Sequence, residues 1–496
     1  MESRTVRRPR LLQWTLRVAT LLGAAALAMA TMSNAAAVFL VLGLLILSFL
    51  VGLIALSRRD AQAVLTLLLL LLFLVPENYV LVGPLRSVGQ PALLVGMMAL
   101  ALWAAGRILG LLEARRGHPV RWMLLAYAIT TLISFAAGMS RTLTGEESAG
   151  AVRALFPVVA MLGIGLLALD GLESRQRVES LLERLVLIGG VAAAIGILEF
   201  FDGGFVYSQV MHLPGLTSNT TIINDTRSGF SRIDGAAAHP IEYAVVIACL
   251  APLALHLALN APTPKRRHRC ALALTLMLVV SPMSVSRSGI LALAVGLAIY
   301  VAHLSGRARF NALVVGVIGI GVFRAMVPGL LGTLKSLFLV GEDDPSIAGR
   351  TEDYAQIPGL LEGHVWFGRG LGTFQPTKYF FLDNQYLGSL LEGGVLALAV
   401  LIGVYVTGMC VARGVRHRTG DPALRGLAQA LVGAIAALAV SAVTFDELGF
   451  LQTAFVLFLL LGCAGALWTL VREAPRRHPS GEVRQPEAPP TPVPVG

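Results

Sequence analysis

Three residues in this chain have the types and surroundings to carry chemistry, and they lie far apart in a sequence that is otherwise mostly hydrocarbon. Arg232 sits in Ser231-Arg232-Ile233-Asp234-Gly235, just before His239-Pro240, and Arg287 sits in Ser286-Arg287-Ser288-Gly289. Asp383 opens Asp383-Asn384-Gln385-Tyr386-Leu387, the end of a polar island at roughly 329–384 that also holds Arg350, His364 and Gly368-Arg369-Gly370-Leu371-Gly372. Each of the two arginines flanks an apolar run, where a guanidinium is costly unless something anionic meets it. Two such forks on one site suit a pyrophosphate, because the planar group pairs bidentately with phosphate oxygens. Snorkelling to headgroups, or pairing with carboxylates such as Asp234, is the competing account. Asp383 suits a general base and equally a helix N-cap, since Asp often precedes an apolar helix.

The remaining candidates are of second rank. Arg350 and Arg369 could bind substrate, although Glu352 or Asp353 offers Arg350 an ordinary salt bridge. His239 would share a helix face with Glu242 near Arg232, and His364 is the alternative base. Gly368 to Gly372 lacks the Lys-Ser/Thr of a phosphate loop and follows no strand, so it reads as a tight turn beneath a bound sugar. Phe374, Tyr379, Phe380 and Phe381 read as an interfacial aromatic belt.

The elements that must position these residues are set by composition. Of 496 residues, 56% are hydrophobic and 14% charged, against about 25% charged in an ordinary globular chain. The apolar residues form continuous runs rather than the alternating strands of a barrel. The expected fold is an all-α polytopic membrane protein. Its spans read as roughly 11–31, 35–56, 61–80, 88–109, 121–139, 151–169, 183–201, 237–259, 270–286, 288–304, 310–328, 385–409, 425–444 and 449–471. The shortest leave a count of about 12–14 transmembrane helices. Ala28-Met29-Ala30 resembles a signal-peptidase site, but a second run begins near Ala35, which favours an uncleaved first span.

With residues 1–10 cytoplasmic, the inner segments hold about 26 Lys and Arg against about 11 outside, as the positive-inside bias requires. The domains are then a cytoplasmic N-terminus (1–10), a transmembrane domain (11–471) with large extracytoplasmic loops at 202–236 and 329–384, and a disordered cytoplasmic tail (472–496) rich in Pro, Arg and Glu. The expected location is the inner, cytoplasmic membrane with both termini inside. The charge of +10 belongs to these loops, so no nucleic acid is implied. Cys249, Cys270, Cys410 and Cys463 make no disulfide framework, and no metal-ligand spacing occurs. No internal repeat supports a transporter or lipid-glycan flippase, the reading from another class, and the charges cluster at the outer surface rather than near the midplane.

In order and spacing, Arg232-Ile233-Asp234-Gly235 with His239-Pro240, Ser286-Arg287-Ser288-Gly289, Gly349-Arg350, Gly368-Arg369-Gly370-Leu371-Gly372 and Asp383-Asn384-Gln385 before Glu392-Gly393-Gly394 resemble the O-antigen ligase and polymerase superfamily over roughly residues 200–400. The resemblance implies a C-type glycosyltransferase architecture. It implies transfer of a glycan from a polyprenyl-pyrophosphate-linked oligosaccharide donor to a glycan or lipid acceptor, with no metal and no other cofactor. Arg232 and Arg287 would hold the pyrophosphate. The ligases place histidine where this chain has Asp383, which looks more like the polymerases. Contact with a flippase or a chain-length regulator is a further expectation.

Overall fold

A computed structural model describes residues 48–56, 60–82, 88–113, 117–202, 230–326 and 354–473, with isolated positions between 207 and 227. The first expected span, the signal-peptidase-like site, the tail from residue 474 and the first half of the island, Arg350 included, lie outside the described residues.

Every apolar run expected from residue 61 onward is a helix: α1 (Ala61–Leu74), α2 (Pro91–Ile108), α3 (Pro119–Met139), α4 (Gly145–Gly171), α5 (Arg175–Asp202), α6 (Pro240–Asn260), α7 (Pro264–Met283), α8 (Arg287–Val301), α9 (Gly306–Met326), α10 (Gln385–Arg418), α11 (Pro422–Ser441) and α12 (Leu451–Glu473). Among the described residues nine of them, α2 to α6 and α9 to α12, are long and apolar enough to cross a membrane. The chain is an all-α multi-pass membrane protein. α1 and α8, with 14 and 15 residues, rise only about 21–22 Å, short of the roughly 30 Å hydrocarbon core. Strand is confined to two short antiparallel pairs among the described residues, β1 (Tyr79–Leu81) with β2 (Leu216–Ser218) and β3 (Thr226–Arg227) with β4 (Phe230–Ser231).

Helix ends follow capping chemistry rather than hydropathy. Thr144 and Glu147 close a capping box at the start of α4, so this helix begins six residues before its apolar run. Thr263 caps α7 by accepting from Arg266 N–H, and Pro264 follows at its first turn, at the head of the basic run 265–269. α6, α11 and α12 are buried over most of their length, whereas α9 is exposed along nearly all of its own. Small residues bring the buried helices together: Gly163 lies against the α2 backbone at Leu100, Gly433 against Gly296, and Gly462 against Ala168. Such close approach replaces hydrophobic driving force where the solvent is lipid.

The polar connections divide between the two ends of the bundle. One end is tied by Arg175 to Asp421, Arg266 to Glu183 and Arg121 to Asp170. At the other end Glu77, Arg141, the 232–239 segment, the island and the α11–α12 turn meet. The candidate site residues that are described lie at this second end.

Candidate active site

The segment from Arg232 to Ala238 is held over the ends of α5 and α6. Gly235 takes φ 54°, its amide donates to the Glu199 carboxylate at 2.9 Å, and the Ala236 carbonyl accepts from Glu77 N–H. Ile233 is buried against Gly196. His239 caps α6, its Nδ1 accepting from Ile241 N–H at 3.1 Å, and Pro240 follows at N1. Its imidazole faces Phe450, ring centroids 5.9 Å apart. Glu242 is occupied in packing, accepting from Ala238 N–H at 2.9 Å and Gln452 N–H at 2.8 Å. Glu77, which burial raises above its ordinary value, accepts from Leu451 N–H. The two carboxyls thereby meet the amide end of α12, where negative charge is stabilised.

Arg287 is the first residue of α8, and Ser286 Oγ caps the helix by accepting from Gly289 N–H at 3.2 Å. Val285, just before the cap, is fully buried with φ 48°. That region is strongly disfavoured for a β-branched side chain, and strain of this kind concentrates where a function needs the geometry. A Cβ on Gly289 would collide with Ala244 of α6, and Gly296 faces Gly433 and Ala437 of α11. This register sets Arg287, nine residues before Gly296, level with the start of α6 and with the turn near Thr444. A guanidinium at a helix N-terminus adds its own charge to the positive end of the helix dipole, which favours an anion there.

At the end of the island, the expectation that Asp383 caps α10 gives way to a cap one residue later. Asn384 is extended and its Oδ1 accepts from Leu387 N–H at 3.1 Å. Asn384→Ala is therefore expected to lower stability by about 1 kcal/mol, read as a lower thermal midpoint of the detergent-solubilised protein. Asp383 stands outside the cap and within electrostatic reach of Asp446, whose carboxyl is pushed up to about 6 by desolvation at the packed turn and then by the Asp383 charge, although the residue as a whole stays exposed. Gln385 joins the island to the α11–α12 turn: its N–H donates to Ala442 O and Phe445 O, and its Oε1 accepts from Leu448 N–H at 2.6 Å. The Asp446-Glu447 turn is only partly solvated. Asp446 is exposed, while Glu447 is fully buried and raised well above the usual carboxylate range by burial. A packed turn needs Glu447 inside: its carboxyl accepts from Ser441 Oγ and its carbonyl from Thr453 Oγ1.

α10 is folded on itself. Tyr386 and Tyr405 are 19 residues apart, about 28 Å along a straight helix, yet their ring centroids lie 6.1 Å apart. The bend is at Gly394, φ 68° and ψ −168°.

The glycine motif does not cradle an open turn. A Cβ on Gly368 would collide with Glu392 backbone, on Gly370 with Gly138, and on Gly372 with Gly150. These glycines let the island backbone lie directly on α10, α3 and α4. Arg369 is engaged within the loop, donating to Leu360 O at 3.2 Å and Tyr379 Oη at 3.0 Å. Arg141 donates to Arg369 O, and buried Glu147 accepts from Lys378 Nζ at 3.0 Å. Phe374 stacks on Tyr379 with Phe380 edge-on, whereas Phe381, Trp366 and Phe367 are exposed in the manner of a belt. Within the island the chain is helical over 354–361 and then turns, with His364 half-buried in that turn.

Residues 272–402 match the family model described as O-antigen ligase. The match covers about a quarter of the chain and supports a likeness to the O-antigen ligase and polymerase superfamily. Members of that family are glycan ligases and polymerases acting on lipid-linked glycans, and the match supports an enzyme here. The O-antigen ligase match takes in Arg287, the island, Asp383 and the Gly394 bend, and it leaves Arg232 and His239 outside. No match is found among the curated proteins compared.

The structural roles of several residues around the candidate site were not part of the sequence reading. The Thr144–Glu147 capping box is a legible signal. Gln385 and Glu447 are polar residues beside apolar runs, and no local pattern marks them as the joint between the island and the last two helices. Nothing in sequence distinguishes Val285 from any other apolar residue before a cap.

Proposed function

We propose that this enzyme transfers a polyprenyl-pyrophosphate-linked glycan to an acceptor hydroxyl at the outer face of the inner membrane, polymerising surface or exopolysaccharide repeat units. The observation that carries the reading is the convergence on one turn: His239 reaches Phe450, Arg287 lies level with Thr444, and Asp383 faces Asp446. Arg232 and Arg287 supply the donor side and hold the pyrophosphate. The acceptor oxygen attacks the anomeric carbon, the bond from that carbon to the pyrophosphate oxygen breaks, and configuration inverts as in a single displacement. The acceptor proton passes to Asp383, and the charge left on the polyprenyl pyrophosphate is met by the two guanidinium groups. His239, whose Nδ1 is committed to its cap, stands beside the donor side. Arg350 and Arg369 belong to the island that covers the acceptor side. Both termini are cytoplasmic in this reading, as the distribution of basic residues supports.

Aspartate in place of the ligases' histidine favours a polymerase. The ligase description of the family model favours the second version, in which the same chemistry attaches the finished glycan to a lipid or other surface acceptor. A gel of surface glycans from a deletion strain separates the two. A polymerase predicts loss of the chain-length ladder, a ligase predicts long lipid-linked chains that fail to reach their acceptor, and an unchanged ladder on the normal acceptor excludes both.

A further inference from the structure

The bend in α10 is stitched by the island. In an uninterrupted helix Val395 N–H would donate to Leu391 O and Leu396 N–H to Glu392 O. Here Leu391 O accepts from Arg369 N–H at 2.8 Å and Glu392 O from Gly370 N–H at 2.9 Å. The two released amides turn the other way, Val395 N–H to Val365 O at 2.8 Å and Leu396 N–H to Trp366 O at 3.4 Å. Ser134 Oγ of α3 adds a second donor to Glu392 O at 2.8 Å. The Glu392 carboxyl lies within reach of the backbone amides of Gly372 and Phe374. Residues 365–370 thus satisfy four backbone groups that a break inside a membrane protein cannot leave bare. Gly368 and Gly394 permit the contact, since a Cβ on either would strike the opposing backbone. The conformation of Gly394 is one that only glycine adopts readily.

We infer that residues 365–370 are a strap that assembles the acceptor side, and that Gly394 and Ser134 are positioning residues for it. The chemistry of the break makes it two-state. With the strap seated, α10 folds back and delivers Asp383 and Gln385 to the α11–α12 turn. With it withdrawn, the four groups regain partners only by restoring the 395-to-391 and 396-to-392 bonds. That straightens α10 and carries Asp383 away from Asp446. The role given to Asp383 rests on the proposed transfer reaction; the two-state bend does not.

The test measures the bend and the activity separately. Of the described cysteines Cys410 is exposed and the others are buried, so spin labels go on Gly388→Cys and Val406→Cys in a Cys410→Ser background. A Cβ at Gly388 meets nothing within 4 Å. A straight helix would separate the two positions by about 27 Å. The seated strap is expected to give a clearly shorter distance, Gly394→Ala to shift it to the straight value, and Ser134→Ala to populate both. In the complemented deletion strain, surface glycan should be lost in Gly394→Ala and reduced in Ser134→Ala, each present in the membrane at normal level. A distance that stays short in both variants overturns the strap, as does a straightened α10 with full glycan. Should Gly394→Ala fail to accumulate, Ser134→Ala decides on the same two readouts. A short distance that lengthens as expected, in a protein whose deletion leaves surface glycan untouched, retains the strap and removes the proposed function.

Discussion

Arg287→Ala is expected to reduce glycan transfer by about 100- to 1,000-fold, the scale of losing a principal charge-stabilising donor, while membrane abundance stays normal. The fold gives reason to expect that separation. Arg287 is the first residue of α8, where alanine is well tolerated, and the cap that starts the helix comes from Ser286 Oγ. What the substitution removes is a guanidinium at a helix N-terminus, level with the turn that Asp383 faces. Arg287→Lys is the sharper version. It keeps the charge and loses the fork, and a point charge cannot pair bidentately with a pyrophosphate, so transfer should remain severely impaired. The measurement is transfer from purified lipid-linked oligosaccharide in proteoliposomes, set against protein level in the same membranes. Normal transfer by Arg287→Ala removes Arg287 from the donor site. Recovery by Arg287→Lys leaves it there as a simple charge and argues against the bidentate geometry.

The membrane fold was legible because a helix in lipid must be apolar for its whole buried length, and such runs stand out in any sequence. Their ends were less legible, since hydropathy marks where lipid begins and capping marks where the helix begins. α5 starts at Arg175, eight residues before the run beginning at 183. Parity of the spans, read from loop basicity, set Arg232, Arg287 and Asp383 at one end, and the structure agrees. The bend in α10 was not legible. Glu392-Gly393-Gly394 lies in a run that reads as continuous helix, and Gly394 becomes a break only because residues 365–370, some thirty positions earlier, supply its hydrogen bonds. The glycine motif was read in part for the same reason: Gly368, Gly370 and Gly372 do take the positive φ of tight turns, and the backbone that each lies against is what the sequence does not show. Glycines that permit a tight turn and glycines that permit backbone contact look alike until the opposing backbone is seen.

The α11–α12 turn is the joint on which both sides depend. It receives Gln385 and faces Asp383 from the acceptor side, it meets His239 through Phe450 on the donor side, and the first amides of α12 are held by Glu77 and Glu242. A short connection between two apolar runs carries no sequence mark of such a role. Its importance comes from what surrounds it, and the fully buried Glu447 within it has little other reason to be inside.

Asp383→Asn should abolish transfer while leaving the protein folded, because Asn384 and not Asp383 caps α10. The amide keeps the size of the side chain and removes its ability to accept the acceptor proton. Undiminished transfer would leave His364 as the candidate base. Asp446 supplies an independent check on the geometry. Its carboxyl stands at about 6 against an ordinary 3.8, through burial first and the Asp383 charge second. A carboxyl raised in the folded protein holds its proton more tightly there than in the unfolded chain. Its contribution to stability is therefore fully present at low pH, falls as pH rises through the interval from the unfolded to the folded value, and is level above it. Removing the Asp383 charge takes away one of the two causes, so in Asp383→Asn that falling interval should close from its upper end. Thermal midpoints of the solubilised protein between pH 4 and about 7 measure it. An interval unchanged in Asp383→Asn would mean that the two carboxylates do not face each other, and would separate Asp383 from the turn even if the same variant had lost its transfer activity.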